Sequence, residues 1–306
     1  MTILVTGSEG LLGTAIKKFC DGDFYFATRK EADLTSFEDT SRLFTQVKPK
    51  RVIHLAAKVG GVQANATMPG TFFYENSMMN MNVLQNAQLH GVEKLISFIS
   101  TCVFPDQCQY PLSSQNLHDG EPHHSNLGYA YAKRMLDIQS KVYRKQFGSN
   151  FITLIPANMY GPGDNWSISS GHVIPSLIHK TYRAQISTEP LTVWGTGFPL
   201  REFIFSEDVA RLTLWALDNY ESSQPLILSN SFETSIKDLV VTITRSMNFK
   251  DKIFWDLSKP DGQFRKPSDS QPLYDLLPDF TFTSLDLGLS KTISWFRENY
   301  TTIIRK

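Results

Sequence analysis

Gly7-Ser8-Glu9-Gly10-Leu11-Leu12-Gly13 follows an apolar run at residues 3–6 and opens a helix-periodic stretch at residues 11–19. Glycines here permit a tight turn and bring the backbone close to a ligand. Uncovered N–H groups and the positive helix end then favour a pyrophosphate. An ordinary strand–helix turn is the competing reading, and the position between strand and helix at the very N-terminus favours the phosphate site. Further apolar runs of strand length lie at residues 24–27, 52–56, 95–100 and 151–155, separated by helical stretches such as residues 72–90. This alternation predicts an α/β fold, a Rossmann-type doubly wound parallel sheet that binds ligands beyond the carboxyl ends of its strands.

After about Gly161 the texture changes. Residues 161–171 are rich in Gly, Asn and Ser and read as a loop, and strand-like runs recur at residues 201–205 and 225–229. Residues 256–270 are polar and turn-rich, and residues 290–300 have the pattern of a last amphipathic helix. The expected division is a dinucleotide-binding domain over residues 1–162, joined by about 201–230, and a smaller interleaved lobe over 163–200 and 231–306.

The 30 Lys and Arg balance 30 Asp and Glu, so no general attraction to nucleic acid or an anionic membrane is expected. No apolar stretch reaches the roughly 18 residues of a membrane span. The chain starts directly on a strand pattern, without the basic start and long apolar stretch of a signal peptide. Cys20, Cys102 and Cys108 are an odd, sparse set. Reduced thiols and a cytoplasmic setting are expected, with no metal site: His123-His124 sits in a polar loop without nearby Cys or patterned acids.

The second strand run ends Ala27-Thr28-Arg29-Lys30, where an enzyme built for NAD usually carries an acid for the ribose hydroxyls. Arg29, with or without Lys30, is expected to hold a 2′-phosphate, which makes the cofactor NADP(H). Glu9 counts against a strong preference, since it puts negative charge in the same loop. Tyr129 and Lys133 stand four apart at the start of a helical stretch, so they share a face. An ammonium beside a phenol favours the phenolate, and a drop of about three pKa units takes about 4 kcal/mol of differential interaction. Lys133 and a nicotinium charge are the expected sources. Ser100, at the end of the fourth strand run, is placed to donate to a substrate carbonyl. Strand alternation would put Cys102 on the same face and turn Thr101 away. On spacing alone, Cys102 stays open between a small buried apolar side chain and a working thiol.

Ser100-Thr101-Cys102-Val103-Phe104-Pro105, the run from Gly128 to Met135 with its Tyr-x-x-x-Lys, and Gly171-His172-Val173-Ile174-Pro175 resemble the GDP-L-fucose synthase family. Matches at residues 56–61, 156–162, 193–197, 201–203 and 260–266 carry the resemblance, in order, over nearly the whole chain. That family belongs to the extended short-chain dehydrogenases, whose glycine spacing, G-x-x-G-x-x-G, is also the one seen here. The resemblance implies a bifunctional 3,5-epimerase and 4-reductase. It would invert C3 and C5 of GDP-4-keto-6-deoxy-D-mannose, then reduce C4 with NADPH to give GDP-L-fucose.

It further implies that Tyr129, Lys133 and Ser100 are catalytic and that Cys102 and His172 carry the epimerisations. Dinucleotide contacts are expected from Gly7, Ser8, Glu9, Gly10, Leu11, Leu12 and Gly13, and from Arg29, Asp33 and Leu34. Ala56, Ala57, Lys133 and His172 join them, as do Pro156, Ala157, Asn158 and Met159. Lys180, Trp194, Arg201, Asp261 and Lys266 fall in the family's substrate-binding regions. The family is homodimeric through the helices around residues 72–90 and 129–143. Some members have arginine where Glu9 stands, which leaves Arg29 more of the 2′-phosphate contact. A 4,6-dehydratase would carry an acid just after the serine position, where Thr101 and Cys102 stand instead, and a 4-epimerase needs no Cys–His pair. His179 is the histidine most easily mistaken for His172.

Overall fold

The computed structural model describes residues 1–259 and 261–303, without the side chains of Val62 and Gln63, so Pro260 of the matched 260–266 segment lies outside it. The first half runs β1 (Ile3–Thr6), α1 (Leu11–Ile16), β2 (Phe24–Phe26), α2 (Phe37–Val47), β3 (Arg51–His54), α3 (Val62–Thr67), α4 (Pro69–Leu89), β4 (Lys94–Phe98), α5 (Leu127–Phe147) and β5 (Asn150–Pro156). It continues through β6 (Asn158–Tyr160), α6 (Val173–Ser187), β7 (Leu191–Trp194), β8 (Leu200–Phe205), α7 (Ser206–Asn219), β9 (Leu226–Leu228), β10 (Glu233–Ser235), α8 (Ile236–Met247), β11 (Ile253–Asp256), α9 (Gln271–Leu276) and α10 (Leu285–Ile303).

The main sheet has the order β2-β1-β3-β4-β5-β9, and every pairing in it is parallel. Helices cover both faces, so adjacent residues of one strand enter different cores. Leu4, Val52, Leu95 and Phe151 pack on one side, against α4 and α5. Val5, Ile53, Ile96 and Ile152 pack on the other, against α1 and α7. This is why the strands read as continuous apolar runs rather than alternating ones. From β1 the chain winds one way to β2 and the other way from β3 onward, which opens a crevice beyond the carboxyl ends of β1 and β3.

A third core, built on Tyr160, Ile178, Phe205, Leu239 and Phe296, joins α6, α8 and α10 to the three-stranded sheet β10-β8-β6. The first helix is shorter than the periodicity of residues 11–19 predicts. It closes at Ile16, where Lys18 and Phe19 donate to carbonyls three residues back and tighten the last turn. No described helix is long and apolar enough to cross a membrane.

Beneath the crevice, at the end of β3, His54 is 1% exposed. Its Nδ1 lies 2.8 Å from the Thr6 hydroxyl, its Nε2 donates to Asn80 Oδ1 at 3.1 Å, and Asn80 Nδ2 donates to Ala132 O at 3.3 Å. Burial, with Lys133 nearby, lowers the imidazole from 6.5 to about 3. The unfolded chain therefore takes up a proton below pH 6.5 that the folded chain refuses, and stability is lost as pH falls from 6.5 toward 3. Between pH 7.5 and 5 this group should cost about 2 kcal/mol. Urea unfolding at the two pH values should show a smaller acid loss in His54→Gln than in the native protein, and an equal loss would mean that His54 is not the buried neutral group.

Candidate active site

The glycine turn caps the crevice. Gly7 has φ of +68°, and a Cβ on it would lie 2.6 Å from the Ala56 amide nitrogen. A Cβ on Gly13 would lie 2.7 Å from the backbone of Ser8. Both positions need glycine for close approach. The Ser8 hydroxyl is buried with no protein partner. The orphaned hydroxyl and the closely approaching glycine backbone fit a pyrophosphate, while Ser8 N and Gly10 N are held by Ala27 O and Gly7 O. With α1 only six residues long, the helix dipole adds little.

From this turn a cleft of about 960 Å³ runs along the sheet's carboxyl edge. All the residues expected to hold the dinucleotide line it: the turn from Gly7 to Gly13, then Arg29, Asp33 and Leu34, then Ala56 and Ala57, then Pro156, Ala157, Asn158 and Met159. Lys30 is exposed beside it and is not among the lining residues. Asp33 accepts from Thr35 N and Oγ1 at 3.0 and 2.8 Å, and these bonds hold its carboxyl below the ordinary range.

Ser100, Tyr129, Lys133 and His172 line the same cleft. Tyr129 and Lys133 lie in the first two turns of α5, with the ammonium 5.9 Å from the phenol ring centre. Lys133 Nζ donates to Phe98 O at 2.9 Å, and burial lowers its pKa from 10.5 to about 8. The phenol departs from expectation. Burial raises the Tyr129 pKa above its ordinary value, with the Cys102 charge adding to the rise. The lysine is occupied by the Phe98 carbonyl, and desolvation decides.

The shared strand face of Ser100 and Cys102 is not observed. β4 ends at Phe98, and Thr101–Val103 form a 3-10 turn that Ser100 caps, accepting from Cys102 N at 3.4 Å. Alternation stops where the strand stops, and Thr101 is buried. Cys102 is half-buried against the α4–α5 core and is not among the lining residues. Its charge is felt by Tyr129, Lys133 and Lys266. All three cysteines are free thiols.

His172 caps α6 and reaches the cleft, with 55% of its side chain exposed. His179 faces the other way: its Nδ1 sits 2.7 Å from Trp166 O, and its ring packs on Phe296 and Tyr300. Asp164, which sequence reasoning misses, lines the cleft with its carboxylate 3.9 Å from His172 Nδ1. Its carboxylate holds the imidazole pKa above its ordinary value, against the opposing effect of burial. An acid eight positions before a histidine, across a loop, matches no periodic rule, and only the Gly-rich context hints at a fold-back there.

Lys180 and Trp194 line a separate hollow of about 530 Å³, with the ammonium 4.5 Å above the indole. Arg201 and Lys266 stand near each other, and burial pushes both below their ordinary pKa values. Asp261 is committed locally: it accepts from Thr196 N and Oγ1, both at 2.7 Å, and braces the turn after Trp194. Among the described residues, no group of three His, Cys, Asp or Glu side chains is placed to hold a metal ion.

A doubly wound sheet, a glycine turn at its switch point and a Tyr–Lys pair across the cleft define a nicotinamide-dependent enzyme acting on a carbonyl or alcohol. The chain belongs to the NAD dependent epimerase/dehydratase family, whose profile matches residues 3–228. Within that family it is similar to the GDP-L-fucose synthase of Dictyostelium discoideum, at 45% identity over 98% of this chain and 97% of the relative. It is 38% identical to the GDP-L-fucose synthase of Sinorhizobium fredii, over 97% of this chain and 96% of that one. Among solved structures, the GDP-L-fucose synthetase of Naegleria fowleri bound to NADP superposes with a TM-score of 0.93. It is 41% identical and covers 98% of this chain and 94% of that one.

Proposed function

We propose that this protein makes GDP-L-fucose from GDP-4-keto-6-deoxy-D-mannose, by epimerisation at C3 and C5 and NADPH-dependent reduction at C4. The observation that carries this reading is the single cleft that joins the glycine turn to Ser100, Tyr129, Lys133 and His172. The relatives similar to the chain over almost all its length support the substrate and the cofactor.

Hydrogens on C3 and C5 flank the C4 ketone, so loss of either leaves an enolate. Ser100 and Tyr129 stabilise that oxyanion by hydrogen bonding. Inversion needs a proton to leave one face of the sugar and another to arrive on the opposite face. Cys102 acts mainly as base and His172, whose imidazole Asp164 holds above its ordinary value, acts mainly as acid. NADPH, when bound, supplies the hydride for C4. Lys133 orients the cofactor ribose, and Tyr129 protonates the C4 oxygen. Arg29 is the cation available at the 2′-phosphate.

Arg201, Lys266, Lys180 and Trp194 hold the GDP part, Lys180 and Arg201 as cations for its diphosphate, and Asp261 shapes the loop beside Trp194. Residues 1–162 with 201–230 form the cofactor domain, and 163–200 with 231–306, of which 260 and 304–306 lie outside the described residues, form the lobe over the sugar. Exposed Phe73 and Met81 on α4, and Ile138 and Val142 on α5, support a homodimer through these helices. Free, sparse thiols support a cytoplasmic enzyme.

Incubation with GDP-4-keto-6-deoxymannose and NADPH in deuterated water tests the whole reading. The expected product is GDP-L-fucose with deuterium at both C3 and C5 and one NADPH consumed per sugar. Reduction without deuterium at these carbons would remove the epimerase half, and no NADPH consumption would remove the rest.

A further inference from the structure

The loop that leads into α6 folds back on itself. Gly163, at φ of +83°, turns the chain just before Asp164, and Gly171 closes the loop with its N–H on Ser167 O at 2.8 Å. A Cβ on Gly171 would lie 2.5 Å from both Asn165 O and Ser167 O, so the closure requires glycine. Asn165 Nδ2 and Gly61 N both donate to Ser170 O, at 3.3 and 3.1 Å, and tie the loop to the segment before α3. The result puts Asp164 against His172. Only 4% of the Asp164 side chain is exposed; Oδ1 accepts from Asn165 N at 2.7 Å and lies 3.9 Å from His172 Nδ1, while Oδ2 is buried without a partner.

We propose that Asp164 is the positioning residue of His172: its buried carboxylate takes the Nδ1 side of the imidazole, leaves Nε2 as the nitrogen for the sugar and keeps the ring in its proton-donating form. This rests on the epimerase reading given above. The energetic need is specific. His172 caps a 15-residue helix, and a positive ring at that end meets the helix dipole unfavourably. An imidazolium there requires a nearby anion, and a carboxylate with an unfilled, desolvated oxygen is the strongest kind available. The other charged or titratable groups of the cleft are engaged elsewhere or exert no resolved effect on His172. They are Glu9 of the glycine turn, Arg29 and Asp33 after β2, the latter held by Thr35, Glu75 of α4, which pairs with Lys58 at 2.7 Å, Tyr74 of α4, and Tyr129 and Lys133 of α5. An approach of 3.9 Å exceeds a hydrogen bond but is within ion-pair reach.

The sign follows. An imidazole stabilised in its charged form keeps its proton to higher pH, so Asp164→Asn should move the His172 titration to lower pH. Proton NMR titration of the protein without sugar reads this directly, with the His172 signal assigned by its loss in His172→Gln. In the presence of substrate and deuterated water, Asp164→Asn should slow deuterium entry at C3 and C5 roughly tenfold at pH 8, with less loss at pH 6. Asp164→Glu should recover part of the high-pH rate. A merely structural role for Asp164 would lower the melting temperature without moving the His172 titration or the shape of the pH profile.

An unchanged titration in a folded Asp164→Asn overturns the proposal. Should that variant not fold, the native titration decides, since a His172 midpoint at or below 6.5 overturns it as well. Absence of any deuterium entry in the native enzyme would instead count against the epimerase reading, and the titration would still decide the Asp164–His172 pairing.

Discussion

Tyr129→Phe should lower the rate of C4 reduction about a thousandfold, within the range for loss of a positioned general acid. The structure explains the direction of the effect. Burial holds the phenol pKa high, so Tyr129 is protonated throughout the neutral range. A protonated phenol is the form that reduction uses, because the C4 oxygen gains a proton as the ketone becomes an alcohol. Phenylalanine keeps the ring packing and removes only the donor, so the melting temperature should change little. The rate of NADPH consumption in a single turnover, measured beside thermal unfolding, tests both statements. A variant that keeps a tenth of the native rate would show that another group delivers this proton.

Lys133→Met should abolish turnover and yet leave a more stable protein. Lys133 is 4% exposed, and burial brings its pKa from 10.5 to about 8. Below pH 8 it is charged in both folded and unfolded chains, and the desolvation cost is present in full, at about 3 kcal/mol. Between pH 8 and 10.5 the unfolded chain keeps a proton that the folded one has released, so native stability rises with pH across that window. Methionine removes the cost but leaves Phe98 O without its donor, a loss of about 1–2 kcal/mol. The desolvation effect is the larger, and a net gain of about 1–2 kcal/mol is expected at pH 7, or a few degrees in melting temperature. Such a trade of stability for function is usual where a charge must sit in a dry site. A variant that melts lower than the native protein at pH 7, and shows the same pH dependence between 8 and 10.5, would mean that the ammonium is not buried at a cost.

Elements with strong local signals are legible in the sequence. The strand at residues 3–6, the glycine turn and the Tyr–Lys spacing on α5 all depend on contacts within a few residues, and each stands at its expected place. Differences arise where neighbours in space outweigh neighbours in sequence. The strand run at residues 95–100 stops at Phe98 because Ser100 caps a 3-10 turn, which removes the strand face expected to join Ser100 and Cys102. Lys180 and Trp194, grouped with Arg201 by function, line a hollow apart from the main cleft.

What the sequence determined by itself is therefore the parallel sheet, the glycine turn and the identity of the groups able to do acid–base chemistry, since turn geometry and residue period are short-range properties. Tertiary structure alone decided their protonation and their partners. Burial kept the Tyr129 phenol high and took Lys133 down, the Thr6–His54–Asn80 chain formed across three elements, and a closed loop set Asp164 against His172. Desolvation and charge pairing depend on everything within several ångströms, whatever its distance along the chain, and no local pattern of residues encodes that sum.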